Sequence, residues 1–153
     1  MSSPMTESKL RESLMRFETC VQTPIISGEL TSWLQDAQTA CAEVRACVQQ
    51  EAEGPHAEML RKMKQQDPEM GSRVEQLREE ERELQDQSAR LQVKLDQLIE
   101  RARAVEPDEL KLDQPIEEFI EASLAFVLAA RKHDTAMTTW HNEAFNRDRG
   151  VLD

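Results

Sequence analysis

From Ser72 to Val105 the chain runs without a single proline or glycine. As a helix, a stretch of that length extends about 50 Å. Within it Val74, Leu77, Leu84, Leu91, Leu95, Leu98, Ala102 and Val105 recur at alternating spacings of three and four, with two gaps filled by Glu81 and Ser88. That period keeps an apolar stripe on one side of an α-helix and scatters it over both faces of a strand. A helix so striped gains most of its stability from packing the stripe against other helices, here at a shallow angle. The opposite face, with Arg78, Glu79, Glu80, Arg82 and Glu83, reads as a solvated surface with weak pairing along the helix.

The partners are visible in the rest of the chain. A first helix starts near Ser3-Pro4 and carries Leu10, Leu14, Phe17 and Val21 on one face. Pro24 and Ser27-Gly28 end it. A second runs from about Glu29 to Glu53, with Leu30, Leu34, Ala37, Cys41, Val44 and Val48 as its seam, and stops at Gly54-Pro55. A short amphipathic piece with Met59, Leu60 and Met63 precedes the long helix. After a turn bracketed by Pro107, Asp113 and Pro115, the last helix spans about Pro115 to Asn146. Its seam is Phe119, Ser123, Phe126, Ala130, His133, Met137, Trp140 and Ala144. Residues 147–153 read as a polar tail. The pattern predicts an all-α protein: an up-down-up-down four-helix bundle with a short extra helix in its second connection. Residues 1–153 form a single domain, of which 1–28 are the first helix and its turn.

Composition removes several function classes. Four glycines and no tyrosine argue against a sheet protein, which needs turn glycines and aromatic strand residues. A net charge of −11 disfavours nucleic acid and anionic membranes as partners, since both recruit cationic surfaces. The most apolar stretch, Ala122 to Ala130, is too short to cross a bilayer. The opening MSSPMTESKLRESL lacks the basic-then-apolar pattern of a signal peptide. Cys20, Cys41 and Cys47 form no disulfide framework, and an odd count fits a reducing compartment. The reading is cytoplasmic.

Two ionisable residues occupy seam positions, Glu81 and His133. An unpaired buried carboxylate is costly, so Glu81 needs a partner, water or a metal. By helical rise, Glu81 lies about 13 Å inside its helix and His133 about 19 Å from the end of the last one, overlapping levels at one bundle end. Glu53, closing the second helix, belongs to the same end, so Glu53, Glu81 and His133 are the candidate metal ligands. The Glu53-to-His56 spacing matches the ExxH of carboxylate-bridged metal proteins, but Gly54-Pro55 interrupts the helix it requires, and the pair is set aside. There is no HExxH, no glycine-rich phosphate loop and no nucleophile elbow. His141 lies off the seam of His133. Trp33, Trp140 and the methionines read as packing.

Three stretches carry a resemblance. Helix two closes with Glu51-Ala52-Glu53-Gly54-Pro55 and is followed by Gln66-Asp67-Pro68-Glu69-Met70. The run from Arg73 to Leu84 comes next. The chain ends with His133-Asp134 and then Glu143-Ala144-Phe145-Asn146-Arg147-Asp148-Arg149-Gly150-Val151-Leu152-Asp153. From about residue 30 onward this resembles the hemerythrin-like, HHE cation-binding family. The resemblance implies a four-helix bundle around a non-haem iron pair, with roles in oxygen or nitric oxide binding, iron handling or redox sensing. It also implies ligands that are replaced here. A histidine is expected near Val48, another where Glu81 stands, and a carboxylate where Met137 stands. Thioether is a poor ligand for iron.

The expected function is therefore a non-enzymatic hemerythrin-like module with a lost or reduced metal centre, used for binding, sensing or scaffolding. It has no resident cofactor, and its partner is an unidentified protein or a second copy. One alternative is an atypical iron site built from Glu53, Glu81 and His133. Another is an acidic helical adaptor that docks a partner helix along an open seam.

Overall fold

The computed structural model describes the backbone of residues 4–104 and 109–152 and the side chains of residues 9–104 and 111–146. The described residues form helices and no strand. In chain order these are α1 (Pro4–Gln22), α2 (Leu30–Glu53), α3 (Pro55–Gln66), a 3-10 turn (Pro68–Met70), α4 (Gly71–Ala102) and α5 (Glu109–Leu152). Pro4 opens α1 at the position where a missing N–H costs nothing. The chain reverses into α2 through Gly28, whose φ of 86° is a left-handed conformation suited to glycine.

Specific contacts give the relative directions of the long helices. Arg16 pairs with Glu43 at 3.0 Å, and the thiol of Cys47 reaches the carbonyl of Lys9, so α1 and α2 run antiparallel. Gln38 meets Asp96, and Arg45 meets Gln92, across α2 and α4. Arg131 of α5 forks onto Glu18 of α1, both bonds 3.0 Å. Such exposed pairs contribute about 0–1 kcal/mol each and report geometry more than stability. The energy lies in the core. Phe17, Trp33 and Phe119 meet edge to face, with centroids 6.4 and 6.5 Å from Phe119. Leu14, Leu34, Val44, Leu95 and Phe126 pack around them.

Two expectations for the last helix are corrected. The predicted break at Asp113 and Pro115 is helix: α5 begins at Glu109 and Pro115 sits inside it. Proline removes the N–H that would reach the carbonyl of Lys111, and that carbonyl instead accepts from Arg101 of α4 at 3.4 Å. Leu112 and Ile116, both buried, extend the seam of Phe119 about two turns back and anchor the segment. The predicted tail is also helical as far as Leu152, because a single Gly150 costs a helix only about 1 kcal/mol. Val105 and Pro107 lie outside the described residues.

Among the described residues no helix is long and apolar enough to cross a membrane. Cys20, Cys41 and Cys47 are all free thiols. Burial pushes the Cys41 thiol up to about 11. Thiol titration of unreduced protein in denaturant is expected to find three free groups. In the folded protein Cys41 is expected to react slowest; recovery of a single thiol would refute this.

Candidate metal centre

The buried ionisable groups gather at one level: Glu51, His56, Glu81, His133 and Asp134. Glu81 continues the stripe of Val74 and Leu77 and is buried with them on α4. His133 lies between Ala130 and Met137 on the buried face of α5. The two meet directly, with His133 Nε2 3.0 Å from Glu81 Oε1. The same carboxylate oxygen is hydrogen-bonded by Nδ1 of His56. His56 is the second residue of α3. Helix α2 ends at Gly54 and Pro55 starts a new helix at once, which turns His56 inward above Leu60 and Met63. The donor atoms of His56, Glu81 and His133 all lie within 4.8 Å of one another.

A second set of carboxylates holds the outer nitrogens. His56 Nε2 faces Asp134 Oδ1 and Glu51 Oε1, each at 3.4 Å. His133 Nδ1 is 2.9 Å from Glu80 Oε1. Asp134 is tied in turn to Arg11 of α1 at 3.4 Å. The rings stand edge to face with centroids 5.5 Å apart.

The electrostatics follow from this crowding. Burial pulls His56 toward the neutral form, but hydrogen bonds to Asp134 and Glu81 and the nearby charge of Glu51 outweigh it and raise its pKa from 6.5 to about 9. His133 is likewise raised: burial opposes the charged form, and Glu81 and Glu80 more than compensate, with His56 acting against them. Burial pushes Glu81 up, while the two imidazoles bring its carboxyl net below the usual range. Asp134 is held low chiefly by its hydrogen bond from His56. Without a metal, each imidazole is held among carboxylates that favour its charged form.

The structure brings Glu81 and His133 together but leaves Glu53 aside. Glu53 is exposed and accepts from Gln49 one turn back at 3.1 Å. Its place in the convergent set is taken by His56, and the inward-facing carboxylate of α2 is Glu51. The signal for Glu51 was available, because it continues the seam of Val44 and Val48 at the next helical step. His56 carried a signal too: His56, Leu60 and Met63 share one face of α3. The helix break at Gly54-Pro55 rules out a Glu53–His56 ligand pair on one helix, but not the histidine alone.

The donor set suits one transition-metal ion. Two imidazole nitrogens and one carboxylate oxygen converge, and the outer ring nitrogens face carboxylates, the arrangement that fixes ligating histidines. Two positions where the resemblance implies further ligands are apolar in the structure. Val48 is buried in the main apolar core and Met137 in a smaller apolar cluster, and neither offers a hard ligand. The larger clefts described lie elsewhere, such as that between α1 and α2 beside Met15 and Cys20. Compared with known proteins, the chain stands apart: no family model, no curated protein and no solved structure matches it.

Proposed function

We propose that this chain is a hemerythrin-like up-down-up-down bundle holding a single divalent transition metal at His56, Glu81 and His133, and that it works as a non-enzymatic binding or sensory module. One observation carries the reading: two ring nitrogens and a carboxylate oxygen meet at one point while carboxylates hold both outer ring nitrogens. Metal ligation requires each ring to give up one proton. Where both rings start as imidazolium, two ring protons leave for one divalent charge and the buried charge is unchanged. Iron is the ion implied by the resemblance. The buried donors, with no nucleophile placed beside a base among the described residues, favour binding over turnover.

A second reading rests on the same hydrogen bonds. Both rings already face carboxylates through both nitrogens, so the cluster is complete as a buried ion network in a bundle whose metal centre was lost. The adaptor reading has less support, since the seam residues of α4 are buried within the protein itself.

Protein purified without chelator and loaded anaerobically with Fe(II) separates the two. About one iron per chain is expected, falling to near zero in Glu81→Gln and His133→Gln. No bound metal at any loading would favour the lost centre, and two irons per chain would refute both readings.

A further inference from the structure

The buried ionisable groups form a layer contributed by α2, α3, α4 and α5. On α4 the main core begins at Leu84, a smaller cluster ends at Leu77, and Glu81 lies between them. On α5 the main core ends at Ala130, the smaller cluster begins at Met137, and His133 and Asp134 lie between them. On α2 the main core ends at Val48 and Glu51 follows. The smaller cluster is methionine-rich: Leu60 and Met63 of α3 and Met70 of the 3-10 turn cover Val74, Leu77 and Met137. Helix α3 and its turn thus sit on the far side of the polar layer from the main core. Two of the chain's four glycines, Gly54 and Gly71, bracket this segment. His56 is its one donor in the convergent set.

We propose that metal bound at His56, Glu81 and His133 latches the segment 55–70 onto the long helices as a cap, so that metal occupancy controls exposure of the apolar surface of Val74, Leu77 and Met137 beneath it. The inference rests on the single-metal reading. Glu81 and His133 lie on helices already paired along the main core, so ligation adds little to their mutual packing. His56 is different, because the cap cannot lift without withdrawing it. Only the closed form presents all three donors, so the ion binds that form and suppresses opening by mass action. Opening parts two apolar faces, the methionines Met63 and Met70 of the cap and the patch of Val74, Leu77 and Met137 beneath it. The cap would thereby convert occupancy of a closed site into a change at the surface.

Hydrogen exchange on the full chain tests this, with chelator or with anaerobic Fe(II), alongside calorimetric titration of Fe(II). At free Fe(II) one hundred times its Kd, exchange of amides 58–66 through cap opening is expected to slow up to about 100-fold. Tryptic cleavage at the exposed Arg61, Lys62 and Lys64 is expected to slow in step. Amides around Leu95 and Leu98 in the main core are expected to be unchanged. If Fe(II) binds but the cap amides do not respond, or respond only together with the main core, the latch is overturned and the metal reading stands. If Fe(II) does not bind, both fall.

Discussion

Phe119→Ala is expected to destabilise the protein by about 3–5 kcal/mol, the usual cost of emptying an aromatic site in a packed core. Phe119 is fully buried and is the ring on which Phe17 of α1 and Trp33 of α2 both bear edge-on. Its removal therefore loosens α1, α2 and α5 together, and collapse of one helix cannot fill the space. Against a total stability of about 5–15 kcal/mol, such a loss leaves a marginal fold. The measurement is the urea midpoint, with Leu128→Ala as control. Leu128 lies on the same helix at 55% exposure and is expected to cost within about 0.5 kcal/mol. Equal effects of the two substitutions would show that the aromatic trio does not sit at the centre of the core.

The metal-stripped protein is expected to lose on the order of 3 kcal/mol of stability as pH rises from 6 through 9, the linkage equivalent of the raised His56 pKa. The folded protein holds the His56 proton up to about pH 9, whereas an unfolded histidine releases it near 6.5. Between these values the native state binds more protons than the unfolded state, so stability falls with rising pH. It is fully present below 6.5. The groups facing His56 are Glu51 from α2, Glu81 from α4 and Asp134 from α5, with His133 behind Glu81 and Arg11 behind Asp134. Glu81 and Asp134 have the opposite sign: their lowered pKa values stabilise the fold at neutral pH, and that part is lost in acid. The optimum is therefore expected between about pH 4.5 and 6.5, bounded by the ordinary values of Glu and His. Urea midpoints at pH 6 and 9.5 measure the effect, and His56→Gln removes the background from lysines and thiols. If the variant and the parent lose the same amount, His56 is not held in its charged form.

The site was half legible. Glu81 and His133 are ionisable residues where a helical repeat calls for apolar ones, and a repeat is a local property that survives without knowledge of the fold. Glu51 falls on the same repeat, whereas Glu53, nearer the helix end, lies on the other face. His56 is hidden from a reading of the repeat because Gly54-Pro55 ends α2. That a second helix starts immediately and carries the ring back into the interior depends on how α3 seats against α5.

The long helices, their apolar stripes and the absence of strands among the described residues were determined by the sequence alone, because helix periodicity and propensity act within a few residues of each position. The tertiary structure decided the rest. Pro115 is tolerated inside α5 because Arg101, on another helix, reaches the carbonyl that proline leaves without its usual donor. Two histidines and a glutamate from three helices share one point because α3, α4 and α5 place them at one level. Those outcomes come from residues 10, 25 and 52 positions apart in the chain, and no local pattern encodes a contact made across that distance.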